Sequence, residues 1–389
     1  MDPIYLDYNA TTPVRPEVVR AMTACLSGPP GNPSSQHRFG REARAARERA
    51  RSQVARAAGC RPSEVLFTSG GTEADNLAIR GVLEASPERR HVITASTEHE
   101  AILHTLGALS PTRAETTILP VDEDGRIRPS DLESALRPDT ALVTLMGANN
   151  ETGVLADLAT LGAICRQRQV LFHVDAVQMF GKVPFSFSGL PLDLASISSH
   201  KIGGPKGVGA LLVRDGVSLP AQQTGGGQER GIRPGTENLP GIVGFGEAAE
   251  LAAGEVASEA PRLAALRDRL EQGILQAFPA AQVNGDRGNR LPNTCNVSFP
   301  GLDGESLLIA LDLEGVAVST GAACQAGAAE PSHVLMGMGR SAAQAGSSLR
   351  FSLGTPSRDS DIVGVLEILP RILSRLSATG SAPSGQGHL

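Results

Sequence analysis

VLFHVDAVQ (residues 170–178) and LASISSHK (residues 194–201) decide the fold of this 389-residue chain. The first run is dominated by β-branched, aromatic and aliphatic residues and reads as a buried strand that brings Asp175 to its end. A carboxylate arriving there needs a charged partner. The second run is again strand-like and ends on Lys201, beside His200, Ser199 and Ser198. Working outward, the same short apolar runs recur in EVLFTSGG (64–71), HVITASTEHE (91–100), ALVTLMGANN (141–150) and GALLVRD (209–215), with amphipathic stretches between them. This alternation predicts an α/β fold: a mainly parallel sheet covered by helices, with functional residues at the carboxyl ends of its strands.

The alternation spans residues 15–260, the expected large domain. At Pro261 the pattern changes to a charged helix through Leu275, followed by NTCNVSFPG, LLIALDLEGVAVST and SLRFSLG, a smaller α/β domain over 261–376. Residues 1–14 are expected to pack with it. The Ser-, Gly- and Pro-rich stretch 377–389 reads as a disordered tail.

A formal charge of -6 argues against a nucleic-acid polymer as the main partner. The Arg-rich stretch 41–56 carries Glu42, Glu48 and many alanines but no stacking aromatic residue, so it reads as the solvated face of a helix. Five cysteines at irregular spacing form neither a metal-binding pattern nor a disulfide framework, which favours a reducing compartment. MDPIYLDYNATTP has neither a basic start nor an apolar core, and no run approaches membrane-span length. The expectation is a cytoplasmic protein without metal, nucleic acid or membrane partner.

Asp175 alone would fit a helix cap, and Lys201 alone a surface lysine before IGGPKG. Together, on neighbouring strands, they match what pyridoxal 5'-phosphate needs: a carboxylate for the pyridinium nitrogen and a lysine for the Schiff base. TSGGTEADN (68–76) turns from strand into helix, so backbone N–H groups near Gly71 and Thr72 can meet a phosphate or simply cap the helix. His99 suits ring stacking and proton transfer, or a surface turn. Asn150 can bond the cofactor's phenolic oxygen or a substrate carboxylate, or serve a turn. Arg350, alternating with apolar residues in a strand, suits an α-carboxylate, or an edge facing water. Cys324 lies in STGAACQAG, where small residues predict exposure and mobility; Cys165 and Cys295 sit in apolar patterns and read as inert. Cys324 fits a nucleophile or a plain loop cysteine.

The ordered set YLDYNATTP, GNPSSQHRFG, TSGGTEADN, STEHEA, ANNETG, HVDAVQ, SSHKIGGPKGVG, GGGQERGIRPGTEN, STGAAC and LRFSLG resembles the cysteine desulfurases of the NifS/IscS type, class-V members of the fold-type-I pyridoxal phosphate enzymes. The resemblance covers nearly the whole chain. It implies that Lys201 binds the cofactor covalently, that Asp175 pairs with the ring nitrogen, that His99 stacks on the ring, and that Gln178 bonds the phenolic oxygen. It implies further that Thr72, Ser198 and His200 hold the phosphate, with Thr236 reaching over from the second subunit of a homodimer. Asn150 and Arg350 would hold the substrate carboxylate, and Cys324 would take sulfur from L-cysteine as a persulfide, leaving L-alanine, for delivery to an acceptor such as an iron–sulfur scaffold. Gly203 departs from relatives that carry a bulkier ring there, which would loosen the wall of the site. QERGIRPGTENLP and RLPNTCN also resemble selenocysteine lyases, which leaves release of selenium from L-selenocysteine as the alternative substrate reading. A catalytically silent, partner-binding scaffold is the alternative of another class; Lys201, Asp175 and Arg350, all present, speak against it.

Overall fold

The computed structural model describes residues 3–110, 112–320 and 331–380, beginning with β1 (Ile4–Tyr5), α1 (Pro16–Ser27) and α2 (Arg38–Ala58). Strands and helices then alternate: β2 (Val65–Thr68), α3 (Gly71–Ala85), β3 (His91–Ala95), α4 (Glu100–Leu109), β4 (Glu115–Leu119), α5 (Pro129–Ala135), β5 (Thr140–Met146), α6 (Leu158–Gln167), β6 (Leu171–Asp175), β7 (Leu194–Ser198) and β8 (Gly209–Val213). β2 to β8 form one sheet in the order β2-β8-β7-β6-β5-β3-β4. Only β8 runs against its neighbours. The expected α/β architecture with a mainly parallel sheet is what the chain adopts.

Side chains alternate between the two faces, and both faces are covered, so the strands read as nearly continuous apolar runs. Phe67, Val143, Phe172, Val174 and Ile197 join the core shared with α2, α6 and α7 (Leu239–Ala277). Leu66, Val92, Leu142, Leu194 and Leu211 point the other way, against α3 and α4. Burying one such side chain contributes about 1.5–3 kcal/mol. His173 and Asp175 belong to the α3 face of β6, which is why that strand carries its polar groups at alternate positions. In α2 one arginine departs from the expected solvated face: Arg51 is buried and grips Glu229.

α7 spans 39 residues, a rod of about 58 Å at the α-helical rise. The helix expected to start at Pro261 is therefore part of a longer one, because the amphipathic pattern before it continues through the proline. Pro261 removes one internal hydrogen bond without ending the helix. Ile242, Phe245, Ala248 and Ala249 on its first half pack on the main sheet, and Leu263, Leu266, Leu270 and Ile274 on its second half enter another core.

That second core lies among β9 (Gln282–Val283), β10 (Thr294–Ser298), α8 (Gly304–Leu313), β11 (Val316–Ala317), β12 (Ser319–Thr320), β13 (Ser348–Ser352) and α11 (Asp359–Gly380), while α9 (His333–Gly337) and α10 (Ala342–Gly346) share a small cluster of their own, Val334, Leu335, Met338 and Ala345. Its antiparallel sheet has the order β12-β13-β10-β9, while β1 pairs in parallel with β11 and buries Ile4 and Leu6 there. The expected disordered stretch begins inside α11, whose helix runs to Gly380 because propagation costs little once Ile362, Val365, Leu369 and Leu373 are packed. Residues 381–389 lie outside the described residues. Among the described residues no helix is long and apolar enough to cross a membrane.

Candidate functional site

The carboxyl end of the main sheet gathers the polar residues. Asp175 closes β6 opposite Met146 of β5 and Ser196 of β7; Ser198 closes β7, and a 3-10 turn over Ser199–Lys201 follows. Thr68 and Ser198 both pair with Gly209 of β8, which sets the head of α3 beside the end of β7. The approach is close. A Cβ on Gly71 would stand 2.7 Å from Val177 Cγ2, so only glycine lets the first N–H groups of α3 face the turn after Asp175.

Asn9, absent from the expected site, joins its parts. Its backbone carbonyl accepts from Lys201 Nζ at 2.6 Å and from Gln178 Nε2 at 2.8 Å, and the carbonyl of Ala10 accepts from Lys201 at 2.9 Å. The Asn9 carboxamide donates to the Asn150 carbonyl at 3.1 Å and to Thr294 Oγ1 at 2.9 Å, and its oxygen accepts from Lys182 Nζ at 3.0 Å. Lys182 also donates to Gln178 Oε1 at 2.6 Å. The second sheet supplies Arg350, whose guanidinium pairs with Asp7 at 2.7 Å and donates to the Asn150 carbonyl at 3.1 Å. Asn293 from the loop before β10 closes the ring by donating to Asn9 Oδ1. Two cores thus meet at one short N-terminal segment.

Charge is managed by burial. The Asp175 carboxyl is pushed up by burial, against the pull of His99, of its bond from the Val177 N–H and of Lys201. Behind it lie Asp75 and Glu98, both pushed well up by burial and by the neighbouring Asp175, each with one oxygen lacking a hydrogen-bond partner among the described residues. His173 is pushed down to about 3 by burial, with its ring nitrogens on Thr144 Oγ1 at 2.8 Å and Ser196 Oγ at 3.0 Å. Burial, with Lys201, Lys206 and Lys182 nearby, brings His200 to about 4; its Nδ1 lies 3.2 Å from Thr11 Oγ1. His99 caps α4, its Nδ1 accepting from the Ala101 N–H at 3.0 Å, so a neutral ring carries its proton on Nε2. Glu151 is raised to about 7 by burial, and Ser332, the cap of α9, donates to it.

Lys201, Asp175, Gln178, Asn150, Ser198, His200 and Gly71 therefore stand at or just beyond the ends of these elements, and Arg350 reaches the Asn150 carbonyl from the middle of β13. Thr72 and His99 line one open depression at the head of α3, with Asn76 and Glu100. Arg350 is buried against Asp7 and the Asn150 carbonyl instead of at a water-facing edge, and its Nε has no hydrogen-bond partner among the described residues. Asn150 contributes its backbone carbonyl. Thr236 is exposed, three residues beyond Arg233, which pairs with Glu73 of α3 at 2.7 Å. Cys324 lies outside the described residues. Gly203 has φ +85° and its α-carbon is overlaid by the Arg15 side chain, so the residue serves a left-handed turn under Arg15. Asn9, Lys182, Asp75 and Glu98 carry no recognisable site signal in the sequence, although YLDYNATTP, TSGGTEADN and STEHEA contain three of them. No local pattern says that their polar atoms converge.

The family described as aminotransferase class-V matches residues 4–365. The cysteine desulfurase IscS of Dictyoglomus turgidum is 46% identical over 374 residues, covering 96% of this chain and 95% of that protein. A solved NifS-like protein superposes with a TM-score of 0.91 at 38% identity, over 96% of this chain and all of that one. SspA, solved in complex with cysteine, superposes with a TM-score of 0.81 at 35% identity, over 90% of this chain and 98% of that one. With a matched span that takes in the main sheet, the Lys201 turn and Arg350, the chain belongs to the class-V aminotransferase family.

Proposed function

We propose that this chain is a pyridoxal phosphate-dependent cysteine desulfurase that converts L-cysteine to L-alanine and leaves the sulfur on Cys324 as a persulfide. The observation that carries the reading is Lys201 and Asp175 at the ends of adjacent parallel strands, with the glycine-opened head of α3 beside them. Those residues fit the cofactor: a buried carboxylate for a ring nitrogen, a lysine for a carbonyl, and N–H groups with a serine for a phosphate. When bound, pyridoxal phosphate supplies an electron sink joined to the substrate's amine.

Around it, Asp175 holds the proton of the ring nitrogen and Lys201 Nζ moves the proton of the substrate's α-carbon. Gln178 presents Nε2 to the phenolic oxygen. The N–H groups of Gly71 and Thr72, with Ser198, His200 and Thr236 of a partner subunit, hold the phosphate. His99 would lie against the ring, with Nε2 free to carry a proton because Nδ1 accepts from the Ala101 N–H. Arg350 and Asn150 orient the substrate carboxylate. We place this activity in a cytoplasmic homodimer that passes sulfur to an acceptor protein such as an iron–sulfur scaffold.

The test is turnover by the cofactor-loaded protein and its Cys324→Ala variant. With a thiol reductant present to release the persulfide's outer sulfur as sulfide, sulfide and alanine from L-cysteine are expected with the wild type, and loss of both with an intact visible absorbance band in the variant. Normal turnover without Cys324 would overturn the mechanism. Running L-selenocysteine in parallel separates the lyase, whose leaving group departs without that thiol, and a protein that develops no visible band with pyridoxal phosphate is a scaffold.

A further inference from the structure

We propose that Lys182 is a positioning residue: it locks the carboxamides of Gln178 and Asn9 in one orientation, so that Gln178 can offer only a donor to the cofactor site. Lysine has donors and no acceptor. Its Nζ lies 2.6 Å from Gln178 Oε1 and 3.0 Å from Asn9 Oδ1, so both amide oxygens are turned toward it. Gln178 Nε2 is thereby left facing the Asn9 carbonyl at 2.8 Å, the same oxygen that receives Lys201 at 2.6 Å. Asn9 Nδ2 is left facing the Asn150 carbonyl and Thr294 Oγ1. A flip of either amide would set an N–H against an ammonium and a carbonyl against a carbonyl.

Lys182 stands four residues after Gln178. The charged and titratable groups around it are Lys201, Arg350 with its partner Asp7, and His200; burial together with Lys201 and Arg350 pushes its ammonium well below the usual lysine range. Holding a lysine there is costly. Its two bonds go to the residues that frame Lys201.

The inference rests on the proposed cofactor. Its test uses the cofactor-loaded full chain and reads cofactor retention by equilibrium dialysis and the pH midpoint of the visible absorbance. Lys182→Met is expected to weaken retention about ten-fold, the loss of one hydrogen bond beside a charge. It is also expected to raise the midpoint on the order of one pH unit, because the phenolic oxygen loses an enforced donor and Lys201 a neighbouring cation. Gln178→Ala should give a similar loss of retention, and the double variant no more than either alone. Lys182→Gln, which keeps a neutral donor, should recover retention. Wild-type retention and midpoint in Lys182→Met, or additive losses in the double variant, would overturn the assignment. A wild-type chain that never develops the band would instead refute the cofactor.

Discussion

Replacing Glu151 by glutamine is expected to stabilise the protein above neutral pH and to leave it nearly unchanged in mild acid. Glu151 is 3% exposed, receives a hydrogen bond from Ser332 and lies near Arg350 and Glu100. Burial raises its carboxyl from 4.5 to about 7. A raised folded value means the native state holds the proton more tightly than the unfolded chain. That contribution is fully present below 4.5 and is lost as pH rises through about 7. The interval amounts to about 3 kcal/mol at 1.36 kcal/mol per pH unit, with little solvent screening at a buried site. Glutamine keeps an acceptor for Ser332 and has no charge to bury. Urea unfolding of both proteins at fixed concentration, near pH 4.5 and near pH 8, checks this; the other titrating groups are common to both and cancel. The variant should gain about 3 kcal/mol over the wild type across that range. Parallel stability profiles would refute the buried, protonated Glu151 and the reasoning built on it.

Gly71→Ala should weaken pyridoxal phosphate binding by roughly ten-fold or more, because the new Cβ must displace Val177 Cγ2 and with it the head of α3; dialysis against the cofactor reads this, and unchanged affinity would remove Gly71 from the site. Asp175→Asn should keep the fold and lower turnover by several orders of magnitude, since a neutral amide cannot hold the ring nitrogen's proton; circular dichroism with a turnover assay would expose the opposite result, full activity. Cys324 should be alkylated faster than Cys165 or Cys295, which are both 0% exposed and whose thiols burial pushes up, to about 12 for Cys165. Mass spectrometry of a timed alkylation would show equal rates if this is mistaken.

The strand pattern was legible because a sheet covered on both faces leaves continuous apolar runs, and the parallel runs ended in the polar residues that now gather at the carboxyl end of the sheet, whereas the antiparallel β8 ends on the opposite side. Asp175 and Lys201 were legible for the same reason. Arg350 was half legible. Alternation placed it in β13, but its pairing with Asp7 links residues 343 apart in sequence. The full length of α7 was not legible, because Pro261 imitates a helix start, whereas packing against two cores holds the helix through it.

By itself, the sequence determined the order of elements, the mainly parallel sheet and the residue types at the strand ends, since local hydrophobic periodicity and turn chemistry record what each segment must bury. Only the tertiary structure decided that Asn9 is the hub between Lys201, Gln178, Lys182 and Asn150, and that Asp75 and Glu98 stand behind Asp175 as buried carboxyls. Hydrogen bonding and desolvation depend on which atoms meet across distant segments, and composition or spacing along the chain does not carry that information.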